Sequence, residues 1–281
     1  MANHVAEGEA LLAAEVAEAS ALKKLYLQHE HLLIASTAVL AFFLTWESMT
    51  RFALVNPLFI SSPTLVARAG YRLFAEGEIW KDLRVSGTEF IIGYLMAAGV
   101  AIPLGLAVGW YKRLYYILGP FIDALNAVPR VALLPIIIIW AGIGIWSKIV
   151  VVFLGAVIPM LINTFSGVKT TEQRFLRVAR SFGASEFKIF WTIVFPGTVP
   201  FIFTGLKYAS GRALLGVVVG ELYAATAGIG FLITVAGATF QTDKVFVGIL
   251  IITFTGILMV ELLNRVEHLF DEWRPKVGSA E

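Results

Sequence analysis

A helix crosses the hydrocarbon core of a bilayer with about 20 mostly apolar residues, and helices packed in a bundle tolerate an occasional charge. Apolar stretches of that length predict six crossings in this chain. The first covers 32–46 and continues to 52, and the second, 90–111, is charge-free. The third, 117–141, is interrupted by Asp123, Pro129, Arg130 and Pro135. Proline removes a backbone donor and clashes with the preceding turn, so this span is predicted to bend. The fourth, 149–168, has no charge, the fifth, 198–222, contains Lys207, Arg212 and Glu221, and the sixth covers 245–263.

The polar segments between these spans set the expected orientation, because cytoplasmic loops hold the excess of lysine and arginine. With both termini in the cytoplasm, that side collects Lys23, Lys24, Lys112, Arg113, Lys169, Arg174, Arg177, Arg180, Lys188, Arg265, Arg274 and Lys276. The contrary evidence is the segment after the first span, with Arg51, Arg68, Arg72, Lys81 and Arg84 beside Glu76, Glu78 and Asp82; the flipped topology loses on count. In that segment Leu65, Ala69, Leu73 and Phe74 share a helical face, which predicts a helix resting on the outer surface. Before the first span, Leu12, Val16, Ala19, Leu22 and Tyr26 recur at helical spacing among Glu7, Glu9, Glu15 and Glu18. That pattern fits an amphipathic helix on the cytoplasmic membrane surface or a docking helix for a partner, and its acidic start argues against a secretory signal. The expected organisation is a cytoplasmic amphipathic segment (1–31), a first transmembrane helix (32–52), an outer-surface segment (53–85), a core with five transmembrane helices and a cytoplasmic loop at 169–196 (86–265), and a cytoplasmic tail (266–281).

Composition agrees with an integral membrane protein: 58% of residues are hydrophobic, 15% are charged, and the mean hydropathy is +0.80. The net charge of +2 comes from scattered basic residues, with no stripe to bind nucleic acid. Cysteine is absent, which excludes disulfides and thiol chemistry, and His4, His29, His31 and His268 lie at the chain ends without metal-ligand spacing. No phosphate-cradling GxxxxGK[ST] loop occurs, and no nucleophile stands with a base and an orienting acid. The chain is expected to have no catalytic residue, no metal and no cofactor of its own.

Loop 169–196 is too polar to cross the membrane, yet it keeps helical patterning. It contains RVARSFGASEFKIFWTIVFP, with Ala179, Gly183, Ile193 and Pro196 in register. This resembles the cytoplasmic loop signature of ABC importer permeases: paired alanines, a spaced glycine, then isoleucine and a Leu-Pro pair. Val178 replaces the first alanine, Phe195 the leucine, and Arg177 stands where that family most often has glutamate. Further pieces resemble the nitrate, sulfonate and taurine branch over about residues 62–274. They are Ser62-Pro63, Gly93, Pro103-Leu104-Gly105, Asn126-Ala127-Val128-Pro129, Leu134-Pro135, Trp140-Ala141-Gly142-Ile143-Gly144, Phe203-Thr204-Gly205-Leu206 and Val219-Gly220-Glu221.

The resemblance implies an all-α type I importer permease, with six transmembrane helices and a coupling helix docked on a separate ATPase. Arg177, Val178, Ala179, Phe182, Gly183 and Ala184 are the expected contacts, Ala179, Gly183 and Ala184 as a small face and Phe182 and Phe187 as anchors. ATP and magnesium would be bound by that ATPase. A second permease, expected to be identical, and an extracytoplasmic solute-binding protein would complete the assembly, with lipid around it, in a bacterial inner membrane.

Charges at membrane depth must face a partner or water, so Asn126, Arg130, Lys207, Arg212 and Glu221 are candidates for a translocation pathway. If cationic groups line it, an anionic solute fits: nitrate, a sulfonate or an organic acid. Arg212 is equally readable as half of an ion pair with Asp123 or Glu221, and Arg130 as reaching toward the cytoplasmic interface, the preferred reading. Gly205, Ala209, Arg212 and Gly216 share a face suited to close helix packing. The alternatives are a secondary transporter, for which no internal repeat is seen, and a membrane scaffold that moves nothing.

Overall fold

The computed structural model describes residues 30–270, so the predicted N-terminal amphipathic helix and the end of the tail lie outside the described residues. Among the described residues every regular element is helical. In order they are α1 (Glu30–Arg51), α2 (Pro57–Ile60), α3 (Pro63–Ala75), α4 (Ile79–Trp110) and α5 (Lys112–Ala127). A 3₁₀ turn (Arg130–Leu133) leads into α6 (Leu134–Ala141), followed by α7 (Ile145–Thr170), α8 (Gln173–Ser181) and α9 (Glu186–Ile189). A π-helical turn (Phe190–Val194) then runs into α10 (Phe195–Ala224), α11 (Ile229–Ala238) and α12 (Thr242–His268).

Five helices are long and apolar enough to span a bilayer, and a sixth span is the pair α5 and α6, bent by 92°. The bend falls at Val128-Pro129, where extended backbone replaces helix, as the proline predicted.

The chain divides into two compact units after Val66. In the first, α1 is almost wholly exposed and apolar, the condition of a helix facing lipid. Glu47 accepts hydrogen bonds from the Thr64 amide at 3.1 Å and the Thr64 hydroxyl at 2.8 Å. A carboxylate there satisfies an orphan N–H at the start of α3.

In the second unit α7 is the central helix. Two-thirds of its apolar window is buried, 67%, against 11% for α12. Phe90, Tyr94, Ala97 and Ala101 of α4 and Ala209, Ala213 and Val217 of α10 pack against Val152, Ala156, Met160 and Leu161 of α7. Close approach demands small residues. A Cβ on Gly93 would lie 2.7 Å from the Val152 side chain, and one on Gly155 would lie 2.9 Å from the Arg212 carbonyl. Three of the four residues predicted to form the small face of α10 lie in this seam, with Ala209 fully buried and Gly205 and Gly216 meeting the backbone of Met160 and Val152, whereas the fourth, Arg212, has its side chain exposed.

Two features differ from expectation. Helices α4 and α7 begin at Ile79 and Ile145, ahead of the apolar stretches that predicted them, and so enclose Glu89 and Lys148. Helix α11, between the fifth and sixth spans, has 10 residues, too few to register as a crossing. The predicted surface helix after the first span is α3, which buries Val66, Ala69 and Leu73 while Leu65 is half-buried and Phe74 exposed.

Candidate functional site

Three groups of predicted residues come into view. The first is loop 169–196. Helix α8 ends in a turn in which the Gly183 amide donates to the Arg180 carbonyl at 2.9 Å and the Ala184 amide to the Ala179 carbonyl at 3.1 Å. This is the Schellman closure, and it needs the left-handed backbone that Gly183 supplies at φ 74°. Ser185 then caps α9 by accepting from the Lys188 amide at 3.3 Å, and Arg180 bonds Glu186 at 2.7 and 3.2 Å across the turn. Leu176 and Ile189 are buried with Val168 and Val194, and Trp110 at the end of α4 meets Phe190 edge-on at 5.4 Å.

One expectation is corrected here. Ala179 and Ala184 are not on a small outward face; they pack inward against that cluster. Gly183 has open space around its Cα, so its purpose is backbone conformation rather than smallness. The outward face is apolar and large: Phe175, Val178, Phe182 and Phe187 are exposed, Phe182 by 87%. Arg174 and Arg177 are exposed beside them.

The second group surrounds the bend in the third span. Asn126 and Arg130 line a cavity of about 310 Å³ with Arg212, Val151, Leu215 and Val219. A neighbouring cavity of about 220 Å³ shares Asn126, Arg130 and Arg212 and adds Asn163 and Tyr208. Arg212 donates to the Tyr208 hydroxyl at 2.9 Å, one turn before it on α10. Arg130 Nε is buried without a hydrogen-bond partner. Among the described residues neither arginine forms an ion pair. The two suggested counter-ions are elsewhere, since Asp123 is exposed and Glu221 is bonded to other groups. Arg130, read from sequence as reaching for the interface, shares these cavities with Arg212.

The third group separates the remaining candidates from that cavity. Lys207 forms an ion pair with Glu267 of α12. Glu221 is 1% exposed and bonded on both oxygens: Oε1 accepts from the Ser86 hydroxyl at 2.6 Å and Oε2 from the Gly230 amide at 2.6 Å. Ser86 Oγ accepts from the Ile229 amide at 2.8 Å, and Asp82 accepts from the Gly228 amide at 2.7 Å. Three acidic or hydroxyl groups thus satisfy the orphan donors at the start of α11 and favour its positive end. Glu221 is a structural clasp for α11, and Lys207 joins α10 to α12.

The architecture is a three-helix core, a bent span over a basic cavity, and a rigid loop with an apolar outer face. Residues 99–272 match the family described as "Binding-protein-dependent transport system inner membrane component". The chain belongs to this permease family. It is 34% identical to the "Taurine transport system permease protein TauC" of Escherichia coli (strain K12), over 86% of this chain and 90% of that one. It is 31% identical to the "Putative aliphatic sulfonates transport permease protein SsuC" of Bacillus subtilis (strain 168), over 82% and 83% of the two chains. Among solved structures it resembles a chain of the "MetNI methionine ABC transporter" in inward-facing conformations, at 18% identity and a TM-score of 0.50, covering 66% of this chain and 94% of that one. That likeness extends to the fold.

The permease is therefore a multi-pass, all-helical membrane subunit of an ABC importer. Sequence reasoning missed Glu89, Lys148, Ser86, Asp82, Asn163 and Tyr208. The first four fall at or before the edges of the apolar stretches, where a hydropathy window reads them as loop. Tyr208 stands one turn from Arg212, a spacing that pairs side chains on a helix and was available as a signal.

Proposed function

We propose that this permease is one of two identical membrane subunits of an importer for a small organic anion of the sulfonate class. Separate ATPase subunits, which bind ATP and magnesium, seat on loop 169–196, and an extracytoplasmic binding protein delivers the solute. The complex lies in a bacterial inner membrane, surrounded by lipid, with both termini and the loop in the cytoplasm. The loop's Lys169, Arg174, Arg177, Arg180 and Lys188 support that orientation.

The observation that carries the coupling role is the build of loop 169–196. Its inner side is locked to α4 and α7 by buried apolar residues, and on its outer side the Phe175, Phe182 and Phe187 rings are exposed. Rings so exposed on a rigid turn suit the centre of an interface with another protein. A force applied there passes into α7 and α10, the two helices the loop joins. The pairing of two copies is supported by α10, where Tyr208, Arg212 and Leu215 are exposed along one face of a membrane helix. An arginine at that depth requires a partner surface or a water-filled passage. The anionic class is supported by the unneutralised Arg130 and Arg212, and by the sulfonate and taurine relatives.

Affinity purification from native membranes, with mass spectrometry of the co-purifying proteins and an ATPase assay, tests this reading. An ATPase subunit and a binding protein are expected with the wild type. Membranes solubilised gently that yield no ATPase overturn it in favour of a scaffold or a gradient-driven transporter.

A further inference from the structure

We infer that Arg130 and Arg212 form a solute-recognition site within the permease itself, one that takes the sulfonate group of a solute lacking an ammonium group. This rests on the anionic class proposed above and adds where the anion is held and which anions pass.

Two arginines at the same cavity repel each other, and each costs free energy at membrane depth unless an anion or water compensates it. Among the described residues no aspartate or glutamate lines either cavity. Tyr208 occupies only one of the five N–H donors of Arg212, which leaves a directed fork free. Arg130 stands at the 92° break, where Pro129 precedes a 3₁₀ turn, so the side chain enters the cavity from irregular backbone rather than from a helix flank. Its buried, unpartnered Nε is a donor waiting for an acceptor.

A sulfonate matches this donor set. It carries one negative charge on three acceptor oxygens, has no proton to donate near neutrality, and bonds arginine with charge assistance. The Asn126 amide offers further donors at the cavity walls, as does the second N–H of the Asn163 amide, whose first donates to the Pro159 carbonyl at 2.8 Å. Val151, Leu215 and Val219 line the larger cavity and would receive an alkyl tail. An ammonium group on that tail would meet apolar walls and two guanidinium charges, with no carboxylate to receive it. Alkanesulfonates are therefore favoured over aminoalkanesulfonates, and the discrimination is by repulsion as well as attraction.

The test uses the complete importer, with ATPase and binding protein, in proteoliposomes. Uptake of ethanesulfonate and of taurine is measured at saturating binding protein, alongside ATPase activity stimulated by that protein. Wild type is expected to import ethanesulfonate faster than taurine. Arg130→Gln and Arg212→Gln should each lower ethanesulfonate uptake roughly ten- to hundredfold, the effect of losing a charge-assisted hydrogen bond, while stimulated ATPase activity persists. Arg130→Lys, which keeps the charge and loses the fork, should recover part of the uptake, and it decides the matter if either glutamine variant fails to assemble. Undiminished ethanesulfonate uptake in both glutamine variants overturns the site while leaving the solute class standing. Taurine uptake equal to or faster than ethanesulfonate overturns the exclusion of ammonium groups. Import of a neutral or cationic solute, with neither sulfonate carried, overturns the solute class itself.

Discussion

The carboxylate of Glu89 lies 3.1 Å from the ammonium of Lys148, with the side chains 0% and 8% exposed. This pair joins α4 to α7 near the Gly93 to Val152 contact, one of the close approaches of the two helices. Gly220, next to Glu221, packs on the Lys148 side chain, while the Glu221 carboxyl itself is held by the Ser86 hydroxyl and the Gly230 amide at the start of α11. An apolar helix can slide or rotate against another at modest cost. A buried ion pair fixes a single register, because any other leaves charges unpaired.

Breaking the pair from one side should therefore cost more than removing both charges. Lys148→Met leaves Glu89 buried without its counter-ion and is expected to destabilise the permease by about 3–5 kcal/mol. The double variant Glu89→Gln/Lys148→Met should recover most of that loss. Thermal unfolding in detergent, followed by the monodisperse peak in size-exclusion chromatography, measures both. Additive losses would show that the two side chains act independently.

The clasp on α11 gives a second prediction. Glu221→Ala removes the acceptor for the Ser86 hydroxyl and the Gly230 amide, leaving donors at a cost of about 1–3 kcal/mol each. Glu221→Gln keeps one carbonyl oxygen for the Gly230 amide, and its NH₂ can donate to Ser86 Oγ, so its effect should be much smaller. Hydrogen exchange at residues 228–232 reads this directly: faster in Glu221→Ala and near wild type in Glu221→Gln. Gly228→Ala should match the severe case, since its Cβ would run into the Glu221 carboxyl.

How far this clasp was legible in the sequence shows where hydropathy stops. Glu221 stood out as an acid in an apolar span, but its partners Ser86 and the α11 amides are 135 and 9 positions or fewer from it, in segments read as loop. The six crossings and the broken third span were readable because length, charge and proline act locally. Helix α11 was not, because a 10-residue helix earns its place only by tertiary packing and by donors that other helices satisfy. At loop 169–196 the residue spacing located the turn correctly. The direction of its faces depends on which side packs on α4 and α7, and the alanines that looked like a contact surface are the ones that face inward.

Gly183 separates backbone geometry from side-chain bulk. Its φ of 74° is strained for residues with a Cβ, yet no atom lies within 4 Å of where that Cβ would be. Gly183→Asn should be tolerated best, because asparagine accepts left-handed backbone, whereas Gly183→Val should cost at least about 1–2 kcal/mol locally. Binding-protein-stimulated ATPase activity of the assembled complex is expected to fall in the order Gly, Asn, Val. Equal activity in all three would mean that the turn tolerates unwinding during coupling.

Phe182 and Ala179 lie three residues apart, yet they answer opposite questions. Phe182 is 87% exposed, so replacing it removes nothing from the fold, while Ala179 packs against the buried Leu176 and Ile189 cluster. Phe182→Asp should leave the thermal stability of the isolated permease within about 0.5 kcal/mol of wild type, the range of ordinary surface substitutions. The same change places a charge at the centre of the outward apolar face and should detach the ATPase, as a lost aromatic anchor at an interface does. Ala179→Asp buries a carboxylate against apolar side chains and should lower stability before any partner is added. Pull-down of the ATPase by each purified variant, beside its melting curve, distinguishes them. If Phe182→Asp retains the ATPase at wild-type yield, the partner seats elsewhere and the outward face of this loop is not the joint.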